Sequence, residues 1–216
     1  MNTMLSDKPE NRSGTIVVGI LGGIGSGKSL VAEQLRQMGA EVFSADEAGH
    51  QALGDSAVME TLVGRWGDAV LDSHGHLDRQ AIAERVFHGP EADREREFLE
   101  GLTHPWIARE MSLFVDRLRQ RADLQLAVID AALLVEAGWD KACDKLLFVE
   151  VDDEIRWDRC RERGWSRQQW EAREASQLSI DEKRARASLV IENNSDPESL
   201  RSRLAMLVDE QELLDS

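Results

Sequence analysis

The sequence predicts a three-layer α/β fold on a parallel sheet, and three observations carry that expectation. Apolar segments at 15–21, 124–130, 145–151 and 189–192, with a shorter one at 41–44, are separated by stretches of helical period. Strands that are apolar throughout, rather than alternating, suit a sheet covered on both faces, and strand–helix alternation builds such sheets parallel. Between the first strand and the first helix lies Gly-Gly-Ile-Gly-Ser-Gly-Lys-Ser at 22–29, poor material for a helix interior or a buried strand and good material for a turn around an anion.

Taken in order, the first strand at 15–21 is followed by a helix at 28–38, with Leu30, Val31, Leu35 and Met38 at helical spacing and Gly39 as its stop. After the short second strand, segments at 46–52, 56–66, 78–87 and 91–102 read as helices. A longer helix is expected from Pro105 to about residue 121, with Thr103 as its cap and the proline tolerated in its first turn. The third and fourth strands then enclose a short loop region, and helices at 153–163, 167–177 and 180–187 precede the last strand and a C-terminal helix. Two helical blocks therefore interrupt simple alternation, one at about 46–122 and one at about 153–187.

A length of 216 residues suits one main domain. Residues 1–14 are polar, without the apolar stretch of a secretory signal, and read as a disordered tail ahead of a domain over 15–216. No apolar run reaches the roughly 18 to 20 residues that span a bilayer, so no membrane role is expected. Cys143 and Cys160 have no paired Cys or His nearby, which points away from zinc and disulfides and towards a reducing cytoplasm. With 41 acidic and 26 basic residues, a net charge of -15, the chain repels a nucleic-acid backbone, so nucleic acid is an unexpected partner. A phosphorylated ligand must be held by local cations and backbone amides. The oligomeric state is left open.

Gly22-x-x-x-x-Gly27-Lys28-Ser29 matches the phosphate-loop pattern in the context the pattern demands, after a buried strand and opening a helix. The loop from Gly23, Ile24, Gly25, Ser26 and Gly27 to Lys28, Ser29 and Leu30 would surround the phosphates of ATP with backbone N–H groups and the helix's positive end. Lys28 would reach the β and γ phosphates, and the Ser29 hydroxyl would ligate Mg²⁺. No Asn-Lys-x-Asp guanine motif and no Leu-Ser-Gly-Gly-Gln occur, which moves weight to an ATP-dependent kinase of small molecules. Asp130 closes the third strand and so belongs at the sheet's carboxyl edge, where it would position Mg²⁺ or a bound water; capping a following turn is the competing role. Arg156, Arg159 and Arg163 recur at helical spacing and form either a solvated face or a lid over ATP. Trp157, Trp165 and Trp170 either stack on adenine or pack that block; His50, His74, His76 and His88 receive no role.

The chain resembles the dephospho-CoA kinase family. The resemblance runs from about residue 16 to 200 and rests on the 22–29 loop, Ala45-Asp46, Leu77-Asp78-Arg79 with Val86-Phe87, Leu102-Thr103-His104-Pro105, Asp130-x-x-Leu133-Leu134-x-Glu136, Arg159, Arg163, Arg173, Gln177, Glu182-Lys183 and Val190-Ile-Glu-Asn193. It implies a P-loop NTPase fold with a helical substrate-binding insertion and a helical lid, and transfer of a phosphoryl group from ATP, with Mg²⁺, to the ribose 3′-hydroxyl of dephospho-CoA. It further implies that Lys28, Asp46, Asp130, Arg159 and Arg163 are catalytic, that Asn193 lies near adenine, and that Ser44, Arg79, His104, Leu133, Leu134 and Glu136 line the acceptor site. The family usually reads Asp-Ala-Asp where this chain has Ser44-Ala45-Asp46, and the first aspartate is its favoured base. Because serine does not accept a proton at neutral pH, Asp46, Asp130 or a water must serve, or the function is vacant. Ala132 replaces a family proline and Ser188 a family aspartate. Another nucleoside or nucleotide kinase, or a nucleotide-binding module that has lost transfer, are the alternative readings.

Overall fold

A computed structural model describes residues 14–121, 123–209 and 213. The expected tail lies outside the described residues except for Gly14. Five strands form one sheet in the order β2-β3-β1-β4-β5: β1 (Ile16–Leu21), β2 (Glu41–Ser44), β3 (Leu126–Asp130), β4 (Lys145–Glu150) and β5 (Leu189–Glu192). The pairs β1–β3, β1–β4 and β4–β5 are parallel. The two central neighbours of β1 set its register, with Ile20 opposite Asp130 on one side and Leu21 opposite Phe148 on the other. Strand order reverses around β1, so its carboxyl end is the crevice in which open α/β sheets bind ligands.

Every residue of β1 is buried, as a strand apolar on both faces requires. On one face Ile16, Val18 and Ile20 join Val128, Leu147, Val149 and Ile191, and this surface is covered by Val31 and Leu35 of α1 (Lys28–Gln37) and by Leu200 and Leu204 of α9 (Pro197–Asp209). Burying a leucine or valine fully is worth about 1.5 to 3 kcal/mol, so these two helices fix the plane of the sheet. The expected strand and helix bounds shift by one or two residues at several ends, where the last side chains no longer pair or turn.

Residues Ser44–Phe114 form a compact unit of their own. Within that unit lie α2 (Ala45–Ala52), α3 (Ser56–Trp66), α4 (Arg79–Phe87) and most of α5 (Ala92–Arg119). Its core gathers Val58, Leu62, Trp66, Val70, Ile82 and Val86, with Phe98, Leu99 and Leu102 packed against them. Asp55 and Asp78 cap α3 and α4 with their carboxylates, each accepting two backbone N–H groups.

The structure corrects one element. The two helices expected at 91–102 and from Pro105 are one 28-residue helix, α5, with Pro105 in its interior. Thr103 does not cap forward; its hydroxyl donates back to the Leu99 carbonyl at 2.9 Å, the pattern of a helix-interior threonine. An interior proline costs roughly 3 kcal/mol through its missing N–H and its clash with the carbonyl four residues earlier. Here that carbonyl belongs to exposed Gly101, where water can satisfy it, and the packing of partly buried Phe98, Leu99 and Leu102 before the proline and of buried Ile107 and Met111 after it holds the helix together.

The charged block contains α6 (Asp153–Glu162), α7 (Arg167–Ala175) and α8 (Ile180–Arg186). Ser166 and Ser179 open α7 and α8 with capping boxes completed by Gln169 and Glu182.

Candidate functional site

The loop at 22–29 follows the carboxyl end of β1 and ends on Gly27, which takes φ 88° immediately before α1. A Cβ there would stand 2.5 Å from Asn193 Nδ2, so both conformation and space demand glycine. At Gly25, with φ 82°, a Cβ would come 2.5 Å from the Arg156 carbonyl oxygen and 3.0 Å from Cys160 Sγ. Because Gly27 has no side chain to cap α1, the first N–H groups of the helix are left for an anion. Lys28 lies across the loop, with Nζ 3.0 Å from the Gly22 carbonyl and 3.1 Å from that of Gly23.

An arginine and an asparagine hold the loop. Arg159 on α6 donates through Nη1 to the carbonyls of Gly25 at 3.3 Å and Ser26 at 3.4 Å, and through Nη2 to Asn193 at 2.8 Å. Burial, then the neighbouring Arg163 cation, lowers the Arg159 pKa from its usual value. Asn193, just after β5, is 1 % exposed and donates from Nδ2 to the Ser26 carbonyl at 2.8 Å. Its amide therefore holds the phosphate loop in this structure. Arg163 caps the end of α6 and is exposed. Cys160 lies beneath the loop, where burial raises its thiol pKa.

Asp130 ends β3 in register with Ile20, at the rim from which the loop departs. The segment after it divides its duties. Leu134 is fully buried, in the space that a Cβ on Gly19 would claim, alongside Cys143 and Leu146, so it is a core residue and not a lining residue. Leu133 is half-buried. The carboxylate of Glu136 accepts the Leu178 N–H at 2.9 Å and lies 3.0 Å from Lys183 Nζ, which also donates to Gln177 Oε1 at 2.7 Å. Lys183 is 2 % exposed, so its charge is balanced by Glu136 rather than by water. Ser188 links the starts of β4 and β5 through its hydroxyl, which accepts the Leu146 N–H at 3.2 Å.

The remaining candidates belong to the unit Ser44–Phe114. Ser44 ends β2 and caps α2, its hydroxyl accepting the Glu47 N–H at 3.2 Å. Asp46 is exposed in the first turn of α2. Arg79 is exposed at the start of α4 and makes no ion pair among the described residues. His104 is half-buried within α5.

The tryptophans of the charged block pack it. Trp170 is 5 % exposed, its ring centroid is 5.9 Å from that of Trp157, and the Arg167 guanidinium lies 5.2 Å from one ring and 4.6 Å from the other. Arg173 stands 4.3 Å over Trp165. Two residues outside the site expected from the sequence also touch the loop: Arg156 and Glu174 bond to Ile24. Arg156 was visible as part of the helical arginine spacing; Glu174 carries no local signal at all.

Comparison with known proteins agrees with this arrangement. The family model for dephospho-CoA kinase matches residues 16–198. A dephospho-CoA kinase of Dehalococcoides mccartyi is 36% identical over 196 residues, covering 90% of this chain and 97% of that protein. That of Geobacter sulfurreducens is 39% identical over 191 residues, covering 87% and 94%. A crystal structure of a Thermus thermophilus protein superposes with a TM-score of 0.73 at 35% identity, covering 91% of this chain and 98% of that one. Shikimate kinase from Acinetobacter baumannii, at 14% identity and a TM-score of 0.54, shares the fold over 92% of this chain and 96% of its own. With the phosphate loop standing at the carboxyl end of the central strand and this likeness running through nearly all the sequence, the chain belongs to the dephospho-CoA kinase family.

Proposed function

We propose that this chain transfers the γ-phosphoryl group of ATP to the ribose 3′-hydroxyl of dephospho-CoA, releasing ADP, coenzyme A and the hydroxyl proton. The observation that carries the reading is the loop at 22–29, held by Arg159 and Asn193 and opening α1, in a chain whose family match spans residues 16–198. Phosphoryl transfer asks the protein mainly to position its reactants and to neutralise charge spread over the equatorial oxygens. The backbone amides of the loop and Lys28 hold the β and γ phosphates. Arg159 and Arg163 add positive charge over the transferring group, a contribution that in such enzymes reaches on the order of 10³ to 10⁵ in rate.

Ser29 and Asp130 supply hydroxyl and carboxylate oxygens, the hard donors that Mg²⁺ takes, and each stands at the loop's edge of the fold. Bound there, Mg²⁺ would neutralise the β and γ oxygens. Arg79, His104, Leu133 and Glu136 are assigned to the acceptor, and Asn193 serves ATP through the loop it holds. Asp46 takes the hydroxyl proton in place of the family's first aspartate, while Ser44 contributes a hydrogen-bonding hydroxyl. The phosphate ligands are local, so the chain's net charge of -15 does not prevent binding, since physiological salt screens over about 8 Å. Two free cysteines, one of them buried, suit a reducing cytoplasm.

Ser44 is the observation that favours a second reading, a nucleotide-binding module without transfer. An ADP-release assay with dephospho-CoA, AMP and adenosine as acceptors separates them. Release that depends on dephospho-CoA supports the proposal. Release only with AMP or adenosine reassigns the acceptor, and ATP binding without release under any acceptor favours the module.

A further inference from the structure

Ile24 is gripped on both of its backbone polar groups by one ion pair. Its N–H donates to Glu174 Oε1 at 2.7 Å, and its carbonyl accepts from Arg156 Nη1 at 3.1 Å. The same Nη1 stands 2.9 Å from the same Glu174 oxygen, which closes the three groups into a ring. The Arg156 side chain is 3 % exposed; Asp153 accepts from its other terminal nitrogen at 2.8 Å, and its guanidinium lies 5.2 Å from the Trp170 ring. A Cβ on Gly23 would collide with Arg156 Nη1, so the glycine makes room for this guanidinium.

Burying a guanidinium is expensive, and a buried ion pair is weak evidence for stability in itself. Here its hydrogen bonds are directed at one peptide of the phosphate loop. A carboxylate beside a triphosphate would repel it, but the Arg156 cation offsets that charge, so the pair itself presents the loop with hydrogen bonds and no net charge. The Ile24 N–H is committed to Glu174, which leaves the amides nearer α1 for the phosphates.

We propose that Arg156 and Glu174 are positioning residues that act as one clasp, ordering the loop at Ile24 before ATP arrives and so removing an ordering cost from ATP binding. The inference rests on the reading of this loop as the ATP site, and not on the identity of the acceptor.

The test is a double-mutant cycle on the full chain, reading the Kd of ATP with Mg²⁺ by calorimetry without any acceptor, together with KM and kcat for ATP. Glu174→Ala is expected to raise Kd and KM about tenfold, the loss of one charge-assisted hydrogen bond, while kcat falls less than KM rises. Glu174→Gln, which keeps an oxygen for both donors, is expected to stay within about threefold of wild type. Arg156→Ala is expected to weaken binding more than Glu174→Ala, because it leaves an unbalanced carboxylate by the phosphates, and the double variant is expected to be non-additive. Unchanged Kd in a folded Glu174→Ala would overturn the clasp, as would tighter binding, which would make Glu174 a competitor of phosphate. Should the alanine variants not fold, hydrogen exchange of the Ile24 amide in nucleotide-free wild type decides: slow exchange is expected, and exchange as fast as an open loop contradicts the proposal. A chain that binds ATP yet leaves dephospho-CoA unmodified would defeat the proposed function while leaving the clasp measurable.

Discussion

Lys28 and Ser44 divide the chemistry between donor and acceptor. Lys28 Nζ sits among loop carbonyls, at 3.0 and 3.1 Å, where an anion's oxygens would take over its proton donors. Lys28→Ala is expected to lower kcat/KM about 10²- to 10³-fold with little change in melting temperature, since the side chain lies at a half-buried rim rather than in the core. Steady-state kinetics with a melting curve checks both halves. Ser44 accepts the Glu47 N–H as the cap of α2, a duty that aspartate performs equally well, so Ser44→Asp preserves the helix start. With Asp46 already serving as base, the added carboxylate is expected to leave kcat unchanged or to lower it at neutral pH by repelling the phosphates. Measured beside Asp46→Asn at saturating dephospho-CoA, a Ser44→Asp faster than wild type would mean that the base position is vacant in the wild type.

Glu95 shows how an element of the helical unit is held. It accepts Arg65 Nε at 2.7 Å and Nη2 at 2.8 Å, and the Trp66 indole N–H at 2.6 Å, tying α5 to the end of α3. The Arg65 hydrogen bonds, then that of Trp66, pull the Glu95 carboxyl from the usual 4.5 to about 2. A depressed carboxyl stabilises the fold fully above its unfolded value and loses that contribution as pH falls towards the folded one. Glu95→Gln is therefore expected to be less stable than wild type at pH 6, with the gap narrowing between about pH 4.5 and 2. Denaturant melts at several pH values check it, and a gap independent of pH would remove the charge from the account. The same scale shows where sequence and structure part. Leu102-Thr103-His104-Pro105 carries the local chemistry of a helix start, and only the packing on either side makes it the interior of α5. The strands and the phosphate loop were legible because their signals are local and periodic. The grip of Glu174 on Ile24, 150 residues apart in sequence, has no local signal, and Leu134 reads as a lining residue until the fold places it beneath Gly19.

Across the whole molecule, charge and fold set which ligands can approach. With a net charge of -15, duplex DNA at about 150 mM salt is expected to show no binding tighter than the roughly 10⁻⁴ M limit of non-specific complexes. Fluorescence anisotropy of a labelled duplex checks it, and a saturable complex with a steep salt slope would contradict it. Among the described residues no helix is long and apolar enough to cross a membrane. The phosphate loop, the rim at Asp130 and the family match over residues 16–198 converge on transfer from ATP to one hydroxyl of one acceptor. The most direct test of that claim is the position of the new phosphate, read by phosphorus–proton correlation in the product formed from ATP and dephospho-CoA. The account predicts a phosphomonoester on the ribose 3′-carbon, formed with one ADP per product. A phosphate on another hydroxyl, or ADP released without a phosphorylated acceptor, would contradict it.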